Sequence, residues 1–93
     1  MNLYRRGYRA ELKLMKLLKQ GKEFHTVLRS AGSRSSFDVI AIGVSRILLC
    51  QVKAAKGKFK REREKLRPLK VPGCVRKQLK VYQKGRWTTI RIK

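Results

Sequence analysis

Between residues 4 and 20 the apolar positions recur at helical spacing. At about 100° per residue, Tyr4, Tyr8, Leu12, Leu14, Met15 and Leu18 fall on one face, and Arg5, Arg6, Arg9, Lys13, Lys16 and Gln20 fall opposite. The spacing therefore predicts an amphipathic helix over 4–20, and Gly21 ends it. Three short apolar runs follow. Residues 25–30 read as a first strand, AGSRSS as a turn, 37–42 as a second strand, and 43–46 as a turn into a third strand over 47–53. The run ILLC marks the third strand as central. Pro68, Pro72 and Gly73 then break the chain, and 77–83 and 86–92 form a hairpin across Lys84 and Gly85. The predicted order is α-β-β-β-α-β-β, an α/β domain with a mixed sheet of about five strands, in which residues 56–70 supply a short helix or a loop.

Charge changes the picture. The 93 residues hold 26 Lys and Arg against 5 Asp and Glu, a formal net charge of +21. That points to a polyanionic partner, while an apolar share of 42% argues against a wholly disordered basic tail. Residues 1–53 carry 11 basic and 3 acidic side chains, and residues 54–93 carry 15 and 2. The stretch KGKFKREREKLRPLK is nearly all charge, yet Glu62 and Glu64 leave room for a surface helix with ion pairs. Without that helix it reads as a phosphate-contacting segment ordered by its ligand. No apolar run approaches the roughly 18 residues of a membrane span, and no apolar block follows the first basic residues, so no membrane partner and a cytoplasmic setting are expected.

Cys50 and Cys74 form no CxxC pair, and His25 as the one histidine cannot complete a zinc site with them. Cys50 lies in an apolar run and reads as a free buried thiol. No GxxxxGK loop is present, which argues against nucleoside triphosphate hydrolysis.

Four residues could do chemistry together. Glu11 falls near the middle of the apolar stripe of the first helix, where an uncompensated carboxylate is costly. An ion pair is one way to compensate it, and a metal or active-site cluster is another. Asp38 opens an otherwise apolar strand; taken alone it is a turn cap. Gln51 and Lys53 are two apart, so they share one face at the end of the most hydrophobic strand, where the lysine needs a carboxylate or phosphate partner. Carboxylates held by strands and a helix make a hard oxygen site that suits Mg²⁺, and a lysine beside it can stabilise charge on phosphoryl oxygens.

The series Glu11, then RSAGS (Arg29 to Ser33), then FDV (Phe37 to Val39), then QVK (Gln51 to Lys53) resembles the active-site core of the PD-(D/E)XK nuclease superfamily, and RSAGS resembles archaeal-type Holliday junction resolvases. The match covers roughly residues 7–55. The resemblance implies a restriction-endonuclease-like single nuclease domain over 1–93, with a catalytic core at 1–55, the basic helix or loop at 56–70 and a C-terminal hairpin at 74–93. It implies a Mg²⁺-dependent endonuclease, with Mn²⁺ as a substitute, acting on branched DNA as a homodimer. Carried over residue by residue, Glu11, Asp38 and Gln51 hold the metal, Lys53 is catalytic and Ser33 contributes to cleavage. Gln51 departs from the commoner Glu and removes one formal charge from the site, although the Mrr-like restriction branch resembles this chain in having Gln there.

Around that site Arg5, Arg6, Arg9, Arg29 and Arg34, with Lys56, Lys58, Lys60 and Arg61 of the basic stretch, are the expected phosphate contacts. No recognition helix is evident, so shape and backbone rather than base sequence are the expected determinants. Two rivals share these residues: a basic nucleic-acid-binding protein on a degenerate nuclease scaffold, and a nuclease for linear or single-stranded DNA. Phe59 reads either as a wedge at an opened junction or as packing against the sheet, and Tyr82, Trp87, Ile90 and Ile92 as core and cross-strand packing.

Overall fold

A computed structural model describes residues 3–30 and 36–92. Its elements run in the order α1 (Leu3–Gln20), β1 (Phe24–Arg29), β2 (Val39–Gly43), β3 (Ile47–Lys53), α2 (Lys60–Leu66), β4 (Val75–Gln83) and β5 (Arg86–Ile92). The five strands form one mixed sheet in sequence order. Neighbours β1–β2, β2–β3 and β4–β5 are antiparallel, and β3–β4 is parallel. A parallel pair needs a crossover, and residues 54–74 supply it, α2 included. The α/β class and the α-β-β-β-α-β-β order match the sequence reading.

The two sheet faces carry separate cores. On one, Ala10 and Leu14 of α1 pack with Phe24, Val27, Val39, Ala41, Leu48, Cys50 and Val52, and Tyr82 and Trp87 close its edge. Leu66 of α2 packs on the other with Leu79, Val81 and Ile92, flanked by Phe37, Phe59 and Ile90. Strand alternation explains the division: along β3 the even positions Leu48, Cys50 and Val52 are buried toward α1, so Gln51 and Lys53 belong to the α2 side.

Helix α1 is rotated from the face predicted by the wheel. The row that reaches the sheet is Ala10–Leu14–Leu18, whereas Tyr8 and Leu12 are exposed. Small Ala10, 2% exposed, lies against the sheet, and the bulkier Tyr8 and Leu12 stay at the margin. The basic stretch 56–70 is a helix in part, because Leu66, 1% exposed, ties it to the sheet. Lys77 is itself buried, and its Nζ donates to the carbonyl oxygens of Leu66, Arg67 and Leu69 at 2.7, 2.9 and 2.7 Å. These acceptors lie at and just beyond the C-terminal end of α2, where carbonyls lack helical partners and the helix dipole favours a cation.

Both cysteines are free, with Cys50 buried and Cys74 exposed. Burial pushes the Cys50 thiol up to about 11, which makes it a small hydrophobe rather than a nucleophile. Among the described residues no helix is long and apolar enough to cross a membrane.

Candidate active site

Asp38 stands immediately before β2. Its backbone N–H donates to the Cys50 carbonyl at 2.8 Å. Since Val39 pairs with Cys50, Asp38 falls opposite Gln51. Its carboxylate Oδ2 accepts a 2.8 Å hydrogen bond from the Val52 backbone N–H. Burial raises its pKa above the ordinary value; that bond and the charges of Lys53 and Arg29 oppose the rise without overcoming it. Asp38 is therefore a half-buried carboxylate at a strand end, fixed by one oxygen and lying within the fields of two cations.

Gln51 supplies the second oxygen. It lies next to Leu79 in the parallel register of β3 and β4, and its Oε1 is buried with no hydrogen-bond partner. A buried carbonyl oxygen without a donor is costly, and a cation is one partner that relieves the cost. The donor set therefore fits a hard divalent ion: the Asp38 carboxylate and the Gln51 amide oxygen at facing register positions, with Lys53 two residues along the same strand face.

Glu11 is placed differently. Arg29 Nε donates to Glu11 Oε1 at 2.8 Å, and the Arg29 guanidinium lies 4.4 Å from the Tyr8 ring centroid. Arg29 pairs with Val39 across β1 and β2 and so faces α1. The predicted set is thereby divided: Glu11 and Arg29 on the α1 side, Gln51 and Lys53 on the other, and Asp38 at the strand end between them. Among the described residues no three His, Cys, Asp or Glu side chains cluster as a metal site. Ser33 and Arg34 lie outside the described residues, as does the side chain of Arg5.

Part of the set expected to contact phosphate comes together. Arg6, Arg9 and Lys56 line one cleft of about 400 Å³, beside the C-terminal end of β3, together with Lys13 and Lys84. Sequence reasoning missed the last two. Lys13 was visible on the polar helix face, but its position over Tyr82, with Nζ donating to the phenol oxygen at 3.1 Å, depends on a partner far along the chain. Lys58, Lys60 and Arg61 are exposed at the start of α2 and do not line this cleft. Phe59 packs on the second core, so it is not a free wedge. His25 is exposed on the edge strand β1, and its Nδ1 shares a 2.7 Å hydrogen bond with the Thr26 hydroxyl.

Compared with known protein families and with curated proteins, the chain matches none.

Proposed function

We propose that this protein is a metal-dependent DNA endonuclease of the PD-(D/E)XK kind, hydrolysing phosphodiester bonds in branched DNA in the manner of a Holliday junction resolvase. The observation that carries the reading is the orphaned, buried Oε1 of Gln51 opposite the half-buried Asp38, at the strand end that also bears Lys53. Support comes also from the meander of three antiparallel strands followed by a helical crossover to a parallel fourth, and from the five cations of the adjoining cleft.

In this reading Asp38 and Gln51 hold Mg²⁺, or Mn²⁺ in its place. The ion when bound polarises the phosphodiester and lowers the pKa of an attacking water. Asp38 is positioned by its Val52 hydrogen bond, which leaves its other oxygen for ligation. Lys53 stabilises negative charge developing on the phosphoryl oxygens. Arg6, Arg9, Lys13, Lys56 and Lys84 hold the flanking backbone. We place the activity in the cytoplasm and assign it to a homodimer whose two sites nick opposing strands.

The rival favoured by a specific observation is binding without cleavage, because Glu11 is committed to Arg29 and one metal carboxylate is replaced by an amide. The deciding experiment is cleavage of a labelled four-way junction beside matching linear duplex, with Mg²⁺ or EDTA, by wild type and Asp38→Asn. Paired nicks on the junction alone, dependent on metal and absent in the variant, are expected. Tight binding with no cutting in Mg²⁺ or Mn²⁺ establishes the binding protein instead, and equal cutting of duplex moves the substrate to linear DNA.

A further inference from the structure

The hairpin of β4 and β5 has two unlike faces. Strand alternation sends Leu79 and Val81, with Ile90 and Ile92 of the neighbouring strand, into the core under α2. On the other face Gln78 pairs with Arg91, Lys80 with Thr89 and Tyr82 with Trp87. Leu48 pairs with Arg76 and Cys50 with Gln78, so this face continues the side of the sheet on which α1 lies. Helix α1 packs over β1, β2 and β3 and meets the hairpin where Lys13 reaches Tyr82. Beyond that contact, no described helix covers this side of β4 and β5.

The strip is positive and has nothing to balance it. Residues 75–92 hold six Lys and Arg and no acid. The five acids of the chain are placed elsewhere: Glu11 on Arg29, Glu23 on Arg46, Asp38 on the Val52 N–H, and Glu62 and Glu64 on α2 across the sheet. Arg76 donates through Nη1 to the carbonyls of Gly73 and Val75, which carry no charge to match its own. Lys80 donates to the Thr89 hydroxyl at 2.7 Å, and burial holds its ammonium below the ordinary lysine value, a direction that an anion beside it reverses. Gln78, 8% exposed, is a polar floor whose Oε1 has no donor. A strip without aliphatic side chains and polar to its floor does not suit an apolar cover. Its like charges cost free energy in the free protein and favour an anion.

The shape of the strip narrows the anion. From Arg76 to Tyr82 the strand advances about 20 Å, more than one phosphate group can occupy. Its upper end opens into the cleft of about 400 Å³ that Lys13 and Tyr82 line together with Arg9 and Lys56. The strip is two strands wide, spaced about 5 Å apart, and α1, about 10 Å across, stands along one side. One extended chain fits between the helix and the free edge at β5; a duplex is wider than the strip and meets α1. Tyr82 and Trp87 remain partly exposed at the upper end, an aromatic surface of the kind that accepts a base face of any identity.

We propose that the face of β4 and β5 on the α1 side is a track for a single strand of nucleic acid, with Arg76, Arg91, Lys80 and Lys13 on its phosphates. The track leads into the cleft, and there it rests on the proposed function, which puts the backbone flanking the scissile bond in that cleft. Binding along the hairpin does not depend on cleavage. The face gives an unpaired strand that leaves the candidate site a route across the protein, on the side away from α2.

The test is binding of a fluorescein-labelled eight-nucleotide single strand, beside the same sequence as duplex, followed by anisotropy in EDTA across a salt series. Trp87 is the one tryptophan of the chain, so its emission, read with unlabelled strand, reports locally on this face. Variants are Arg76→Ser with Arg91→Ser, Lys80→Met, and a charge-matched control, Lys16→Ser with Lys19→Ser, exposed on α1. Thermal melts confirm folding of each. Wild type is expected to bind the single strand with a change in Trp87 emission. The arginine pair is expected to weaken binding at least tenfold more than the control pair and to lower the slope of log K against log salt by about 0.7 for each phosphate no longer neutralised. Lys80→Met, which keeps the stem, is expected to cost about tenfold, as for a hydrogen bond to a charged group. Equal losses for the two pairs, unchanged Trp87 emission at saturation, or an equal dependence of duplex binding on the arginine pair overturns the proposal. Displacement of the strand by poly-glutamate as readily as by unlabelled strand overturns it too, in favour of an acidic polypeptide. Cleavage is read apart from binding: no cutting of a junction in Mg²⁺ with this binding intact removes the nuclease and leaves the track, and cutting without a Trp87 response does the reverse.

Discussion

The Glu11 carboxylate and the Arg29 guanidinium meet at 2.8 Å across the gap between α1 and β1, with only 17% and 27% of their side chains exposed. This pair tethers the helix to the edge strand and gives Glu11 the compensation that its place near the apolar stripe demands. Arg29 also lies against Tyr8, so the contact has packing as well as charge. A double-mutant cycle with Glu11→Gln and Arg29→Met, read by urea unfolding, is expected to show a coupling of about 1.5–3 kcal/mol, the range for hydrogen bonds to charged groups. Coupling near zero means that the pair is an accident of proximity. Loss of cleavage in Glu11→Gln at unchanged stability assigns the carboxylate to the metal instead.

Ionising Asp38 is costly in the folded chain. Burial is the largest influence on its pKa, which lies above the ordinary value in the folded chain. The folded state therefore binds this proton more tightly than the unfolded state does. Its contribution to stability is greatest below the unfolded pKa and is lost as pH rises through the folded one. Asn in its place keeps an acceptor for the Val52 N–H and carries no charge. Asp38→Asn is expected to abolish cleavage, raise the melting temperature at pH 7 and leave it nearer to wild type at pH 3. A variant less stable at pH 7 contradicts the sign.

Lys77 is the most deeply placed cation described. Its methylene stem is buried and its ammonium serves three carbonyls at the end of α2. Lys77→Met keeps the volume and removes the donors, so about 2–4 kcal/mol of stability is expected to go, from carbonyls left without partners in a dry site. Nucleic-acid binding at temperatures where the variant stays folded is expected to keep its salt slope, because this lysine contacts no phosphate. A reduced slope overturns that assignment.

Gly43 is a tight spot at the end of β2. A Cβ built there comes within 2.7 Å of the Glu23 backbone carbonyl oxygen and 3.3 Å of Arg46 O and a Phe24 ring carbon. Backbone cannot give way as a side-chain tip can. Gly43→Ala is expected to cost about 1–3 kcal/mol by overpacking, measured by chemical denaturation, while Gly73→Ala, with nothing within 4 Å, is the benign comparison.

Salt should stabilise the protein. With +21 of formal charge, like-charge repulsion weakens the compact form and anions that bind it shift the equilibrium toward folding. Melting temperature is expected to rise by several degrees between about 50 mM and 500 mM salt, and further with a short DNA at low salt. A flat response contradicts it.

Much of this was legible along the chain, and for identifiable reasons. Apart from α2, which the chain leaves open between helix and loop, the elements follow from local pattern: the helical period before Gly21, the apolar run at ILLC, and the turn at Lys84 and Gly85, where both residues take positive φ as a tight hairpin requires. Long-range partnership was not legible. That Arg29 reaches Glu11, that Lys77 is a buried cap, and that β4 begins at Val75 rather than Lys77 all depend on residues distant in sequence, the last on pairing with Ile47 across the crossover. The rotation of α1 belongs to the same class, since the sheet chooses which row it accepts. At the candidate site the placement of Asp38 on the strand beside Gln51 and Lys53 could be read from their order, whereas the division of the wider set across two faces could not.

The single parallel pairing has a kinetic consequence. The first three strands are joined by short connections and can zip in sequence, but β4 finds β3 only after residues 54–74 close a long loop. Loop closure without early reward is slow, and this loop is a chain of positive charge drawn toward a positive body. Counter-ions therefore act on the barrier as well as on the final balance: the hairpin of β4 and β5 docks last, and a polyanion present during folding speeds that step by neutralising the segment that must bend back.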